Sequence, residues 1–270
     1  MLEILRAHRA RYPQMEPRDA VKLLYQRAFG SGHRVAGRED ALVRLREEMQ
    51  TVRPAPGTPL FEGIGADFSR MQLASPLLPP LSTVVGMFVA SARLPSQNCF
   101  QEDLDRLVAH WPQCSAFVAT YRAQGCPPLS HSAAYRAAYA PAYRVVLSQY
   151  ERFLDAFRHI DALSQRPRLL IAIDGRCGAG KSSLARLIAP VYGATVLHMD
   201  DFFLTEAQKA SGVPAPVANI DGQRLMAALQ PLAAGEPFEY RPYDCISGEF
   251  HPVKRVSPAR VAIVEGSYCL

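Results

Sequence analysis

The sequence predicts an α/β unit, a parallel sheet with helices on both faces, from residue 166 onward, preceded by a mainly α-helical domain over residues 1–165. Three observations carry this reading. Apolar residues recur at helical spacing through the first part of the chain. The texture then changes at "SQRPR", residues 164–168, after which short apolar runs alternate with helical stretches. The first of those runs feeds a glycine-rich turn followed directly by an apolar-periodic helix, "IAIDGRCGAGKSSLARLIAP", residues 171–190.

In the first part, "EPRDAVKLLYQRAFG" sets Pro17 near a helix start and Gly30 at its end. "REDALVRLREEMQ" puts Leu42, Leu45 and Met49 on one face. "LSTVVGMFVASARL", "FQEDLDRLVAHW" and "PAYRVVLSQYERFLDAFRHIDAL" continue the helical pattern, and "RPAPGTP" and "SPLLPPL" break it. Two polar knots stand out. "FGSGHR" places His33 after a helix end, the usual place for a capping or core histidine. "HSAAYRAAYAPAYRVV" brings His131, Tyr135 and Tyr139 one helical turn apart, with Arg136 and Arg144 nearby. Such a cluster suits an anion, including a phosphorylated ligand. It equally suits a helix pair whose tyrosines bond to buried backbone, and that is the default reading.

In the second part, "LLIAID", "ATVLHMD" and "RVAIVEGSY" have the look of buried strands. Between the first two, Gly175, Gly180, Lys181 and Ser182 satisfy G-x-x-x-x-G-K-[ST]. Glycines let successive N–H groups turn inward on phosphate oxygens, and the helix starting near Lys181 adds its positive end. Lys181 supplies a charge for the β- and γ-phosphates, and the Ser182 hydroxyl can ligate Mg²⁺. Cys177 occupies an unconstrained position of the loop, tolerated rather than reactive, although a helix start lowers a thiol's pKa and invites oxidation. Asp200 and Asp201 end the second run, where carboxylates in a parallel sheet line the ligand crevice. Glu265 does the same after "VAIV".

The composition excludes several classes. Of 270 residues, 49% are hydrophobic and 20% charged, so both parts can bury cores. A net charge of +5 suits anionic ligands but is too dispersed for nucleic acid. No apolar run reaches the roughly 18 residues of a membrane span. Cys99, Cys114, Cys126, Cys177, Cys245 and Cys269 form no CxxC pair, which suggests neither zinc nor a disulfide framework and fits a reduced, cytoplasmic protein.

From Leu169 to Leu270, "GRCGAGKSS", "HMDDFFL", "NID", "YRPYD" and "VAIVEGSY" resemble, in order and approximate spacing, the uridine kinase family, one of the P-loop kinases that include phosphoribulokinase and bacterial pantothenate kinase. The resemblance implies an ATP- and Mg²⁺-dependent phosphotransferase. Gly175, Cys177, Gly178, Ala179, Gly180, Lys181, Ser182 and Ser183 would hold ATP, with Lys181 and Asp200 catalytic. Asp200 matches the acid that contacts the acceptor hydroxyl and helps organise Mg²⁺ beside Ser182 and Glu265. Asp221 matches an aspartate on the sugar hydroxyls, although it also suits a helix N-cap before "GQRLMAAL". Tyr243 matches an aromatic of the nucleoside pocket, although packing alone would account for it. Two features depart from the family. Gly248 stands where nucleoside-specific members carry a base-reading histidine, with His251 out of register. The family also continues past this strand with an arginine-bearing lid, whereas the match ends at Leu270. The expectation is therefore a kinase domain incomplete at its C-terminus; a nucleotide-binding regulatory protein without efficient catalysis is the alternative. Nothing in the resemblance covers residues 1–165.

Overall fold

The computed structural model describes residues 1–31, 37–92, 99–212 and 219–267. His33, singled out above, lies outside them. The chain divides into two compact units, Met1–Arg158 and His159–Leu270, with the helix Leu154–Ala162 spanning the division. Among the described residues no helix is long and apolar enough to cross a membrane.

The first unit contains the expected helices Pro17–Phe29, Arg38–Met49, Leu81–Ser91 and Phe100–His110. The Pro17 start carries a capping box between Glu16 and Asp19, and Gly30 ends the helix at φ +58°. Three strands join them: β1 (Phe61–Gly63), β2 (Phe68–Gln72) and β3 (Tyr143–Leu147), an antiparallel sheet in that order. The helix expected throughout 141–163 is therefore corrected at its start. Pro141 lies just before β3, and the β-branched pair Val145 and Val146 sits opposite Arg70 and Ser69 of β2, both valines buried. Local periodicity gives no weight to a partner more than 70 residues upstream.

The core of this unit holds unusual charge. Arg70, 2% exposed, donates from Nε and Nη2 to the Gln26 side-chain carbonyl at 3.1 and 2.9 Å. Its Nη1 lies 3.7 Å from Glu62, which also accepts from Tyr12 at 2.8 Å. Asp19 accepts from His131 Nδ1 at 2.8 Å and from the backbone and hydroxyl of Ser132 at 3.0 and 2.7 Å. Burial pushes both carboxylates up, but these bonds and the neighbouring cations win and hold each at about 2. Burial, helped by the charges of Arg70 and Lys22, lowers His131 to about 4 against the pull of Asp19.

All three groups titrate lower when folded than when unfolded. The unfolded chain therefore binds more protons across each window, and stability rises with pH there. Stability should fall as pH drops from about 6.5 to 4, where only unfolded His131 charges, and again below about 4 as Asp19 and Glu62 take up protons. Denaturant midpoints measured in pH steps check this; a midpoint flat from 6.5 to 4 contradicts it.

The second unit is built on β4 (Leu169–Ile173), β5 (Thr195–His198) and β10 (Val261–Glu265), all parallel in the order β4-β10-β5. Four short strands precede β10 in the chain: β6 (Phe238–Tyr240) pairs with β9 (Lys254–Val256), enclosing β7 (Tyr243–Asp244) against β8 (Glu249–Phe250). Central β10 is buried at all five residues, whereas β4, at the sheet edge, leaves Leu170 45% exposed. The helix Lys181–Tyr192 packs on all three parallel strands. The helix Gly222–Ala234 shares a buried cluster with Leu197, Ala262 and Val264. Side chains alternate along a strand, so Glu265 projects to the face opposite Ala262 and Val264. It meets the Lys181–Tyr192 helix there, and the two helices cover opposite faces.

Candidate active site

Parallel pairing brings three strand ends level. Glu265 at the end of β10 lies opposite Ile173 of β4 on one side and His198 of β5 on the other. The glycine loop leaves β4 at this height, and the turn bearing Asp200 leaves β5. This is the crevice at the carboxyl ends of the strands where α/β sheets take ligands.

The loop opens with Asp174, whose carboxylate accepts from the Gly175 N–H at 2.7 Å. Gly180 caps the following helix at φ +85°, a left-handed conformation that an L side chain resists. Cys177, Gly178 and Ala179 are exposed, as is Ser183 at the second helical position after Lys181. The Lys181 ammonium curls back over the loop, donating to the Arg176 carbonyl at 3.1 Å and to Ser267 Oγ at 3.4 Å. Ser267 in turn donates to the Gly175 carbonyl at 3.2 Å. The Ser182 hydroxyl donates to Glu265 Oε1 at 3.0 Å. Glu265 is 4% exposed, and His198 Nδ1 reaches the same oxygen at 2.5 Å. A carboxylate only accepts, so the histidine proton sits on Nδ1. Lys181, Ser182 and Glu265 are thus brought together, and the sequence reading missed the two groups that tie them, His198 and Ser267. His198 was visible in "HMDD", directly before the acidic pair, and register with Glu265 gives it its role.

The acidic pair separates by environment. Asp200 and Asp201 lie in a 3₁₀ turn, Met199–Phe202, between buried Met199 and Phe202. Asp201 accepts from the Tyr240 hydroxyl at 2.8 Å. Burial first, then this bond, raise the Tyr240 pKa, so the phenol remains a donor. Asp200 is exposed and makes no side-chain hydrogen bond among the described residues. Arg224 pins the turn from below, donating to the carbonyls of Asp201 at 3.1 Å, Phe203 at 3.3 Å and Arg241 at 2.6 Å. It is a positioning residue that no sequence pattern announced.

Asp221 is 8% exposed and caps the helix Gly222–Ala234: one oxygen accepts from the Arg224 N–H at 3.1 Å, the other from Gln208 at 2.8 Å. Tyr243, 4% exposed, packs on Phe250 with ring centres 5.2 Å apart. Both stand close to the Asp200 turn through the Asp221 N–H to Phe202 carbonyl bond and the packing of β7 on that turn.

Gly266 shows how tightly the crevice is drawn. A Cβ there would lie 2.5 Å from the Met199 Cβ, on the turn that carries Asp200. Gly266→Ala must displace one strand exit from the other. It should cost about 1–3 kcal/mol of stability, the usual range for overpacking, read as a lower denaturant midpoint. An unchanged midpoint would show that β5 and β10 can separate here freely.

The oxygen donors Ser182 and Glu265 suit a hard divalent ion such as Mg²⁺, which keeps several waters and needs few protein ligands when phosphates share it. Among the described residues no group of three or more His, Cys, Asp or Glu forms a metal site from protein alone.

No protein-family model and no curated protein matches this chain. Among solved structures it is similar to a protein described as a possible uridine kinase from Bacillus stearothermophilus, at 22% identity over 44% of this chain and 71% of that one, with a TM-score of 0.38. It is also similar to a proposed fructose transport system kinase from a Silicibacter species, at 30% identity over 39% of this chain and 57% of that one, with a TM-score of 0.34.

Proposed function

We propose that the second unit is a P-loop phosphotransferase that moves the γ-phosphate of ATP to a hydroxyl of a small molecule, a nucleoside being the first acceptor to test. The observation that carries this reading is the Ser182–Glu265 pair at 3.0 Å. It joins the hydroxyl that follows the loop lysine to a carboxylate at the end of the neighbouring strand. A bare binding loop has no use for that carboxylate, whereas a site that holds a metal beside phosphates does.

In this reading the N–H groups of Gly175 to Ser183 cradle the phosphates, and Lys181 exchanges its contacts with Arg176 and Ser267 for phosphate oxygens. Ser182 and Glu265, with Asp200 nearby, would hold magnesium, which when bound would supply positive charge to offset that on the transferred group. His198 holds Glu265 in place. Asp200 accepts the acceptor's hydroxyl proton as that oxygen bonds to the γ-phosphorus and the bond to the β–γ bridging oxygen breaks, leaving ADP. Asp221 and Tyr243 face the acceptor side, with Asp221 also capping its helix.

The test is incubation with γ-labelled ATP, Mg²⁺ and a panel of nucleosides and sugars. Label appearing in a phosphate ester supports the reading. Label released only as inorganic phosphate, or left in ATP, rejects it in favour of a nucleotide-binding regulator.

A further inference from the structure

The first unit contains a cavity of about 1060 Å³, at the upper end of the range of small-molecule sites. It lies against the helices Pro17–Phe29 and Arg38–Met49 and against β3, and Tyr25, Phe88 and Val145 give it an apolar wall. Three polar residues of its wall, Gln26, Tyr143 and His131, belong to one directed chain of hydrogen bonds.

The chain is anchored on an ionised carboxylate. Asp19 accepts from the Glu16 and Ser132 N–H groups at 3.1 and 3.0 Å and from the Ser132 hydroxyl at 2.7 Å, which fixes it from two parts of the fold. It also accepts from His131 Nδ1 at 2.8 Å, so the imidazole proton sits on Nδ1. Tyr135 clamps the ring, stacked on it with ring centres 4.2 Å apart. Nε2 is left as an acceptor and takes the proton of the half-buried Tyr143 hydroxyl at 2.6 Å. A hydroxyl, a base in reach of it and a third group orienting the base is the arrangement of an activated nucleophile.

The other side of the Tyr143 hydroxyl is prepared for negative charge. Gln26 is 7% exposed, and Arg70 donates twice to its side-chain carbonyl, which fixes the amide. Its Nε2 therefore donates to the Tyr143 hydroxyl at 3.2 Å. An amide nitrogen carries two hydrogens, and among the described residues only this one is used. The second is a buried donor on the cavity wall beside the Tyr143 oxygen. The Arg70 guanidinium lies 4.6 Å from the centre of the Tyr143 ring, where it favours charge on that ring.

We infer that the first unit hydrolyses a small carboxylic ester, with Tyr143 as nucleophile, His131 as general base and acid, and Asp19 as the positioning residue behind it. The Tyr143 oxygen bonds to the acyl carbon as its proton passes to His131 Nε2, and the second Gln26 N–H meets the acyl oxygen. The bond to the alcohol oxygen breaks, and that oxygen takes the proton from His131. Water then attacks the acyl group on Tyr143 and gives a proton to His131, which passes it to the departing Tyr143 oxygen. The sum is ester and water to acid and alcohol. Acyl transfer gathers charge on one oxygen, which one or two fixed donors can meet, whereas phosphoryl transfer spreads it over three and calls for several cations. The groups bonded to the Tyr143 hydroxyl here are a neutral amide and a neutral imidazole, which suits the acyl substrate. The inference rests only on the first unit and is independent of the kinase reading of the second.

The experiment follows release of para-nitrophenolate from para-nitrophenyl butyrate by the full chain, then locates the butyryl group by mass spectrometry after acid quench. The expected result is saturable hydrolysis with the butyryl group on Tyr143. Tyr143→Phe keeps the ring and loses the hydroxyl, and with its fold checked by circular dichroism it should lower kcat/KM by at least about 100-fold, the low end of what a positioned catalytic group contributes. Asp19→Asn removes the charge that orients His131, so kcat should fall with KM close to that of the parent. Should that variant not fold, the Tyr143 comparison decides alone. Such esters also acylate exposed lysines. The proposal is overturned if butyryl groups are confined to lysines, if the rate rises with ester without saturating, if Tyr143→Phe hydrolyses as fast as the parent, or if folded Asp19→Asn keeps the parental kcat.

Discussion

Replacing Lys181 with alanine should lower phosphoryl transfer by about 100- to 1000-fold, the cost of losing one preorganised donor to developing charge. The ammonium's contacts are to the Arg176 carbonyl on the loop and to Ser267 Oγ just past the end of β10. The fold does not depend on them, so the thermal midpoint should stay close to that of the parent. Initial rates with γ-labelled ATP, taken beside a melting curve, separate the two effects. A variant with undiminished turnover would remove Lys181 from the reaction.

Asp200→Asn is the second large effect. An amide cannot take the acceptor's proton, so kcat should fall about 100- to 10,000-fold, while the KM for ATP changes little. The adjacent carboxylate supplies the control. Asp201 is occupied by the Tyr240 hydroxyl, and an asparagine there keeps an acceptor for it. Asp201→Asn should therefore retain most of the activity. Reversed behaviour of the two variants would assign the acid role to Asp201. Equal and near-parental rates would mean that neither carboxylate handles the proton.

The parts of the site legible in the sequence were those written within a few residues. The glycine loop, its lysine and serine form one continuous run, and an apolar strand ending in a carboxylate announces Glu265 by itself. His198, Ser267 and Arg224 were not legible in the same way, because each acts through a partner far along the chain. His198 meets Glu265 across parallel register 67 residues later, and Ser267 meets Lys181 across 86. The adjacent Asp200 and Asp201 have the same local text, and only Tyr240, brought in by β6, tells them apart. Edge position likewise escapes local reading: "LLIAID" has the text of a buried strand, yet its place at the rim of the sheet exposes Leu170. In the first unit, "YRVV" sits among helical neighbours and becomes a strand because β2 is there to pair with it. Arg70 has the look of a surface residue until Gln26, Glu62 and Tyr143 are folded around it.

If the proposed reaction runs at this site, the loop from Gly175 to Ser183 should hold a nucleoside triphosphate with its γ-phosphate turned toward Glu265 and Asp200. The most direct measurement is a crystal structure of the chain with Mg²⁺ and a non-hydrolysable ATP analogue. The expected result is the β- and γ-phosphates on the loop amides, Lys181 on their oxygens, and the metal beside Ser182 and Glu265. A nucleotide bound elsewhere, or a loop left empty at saturating analogue, would contradict it.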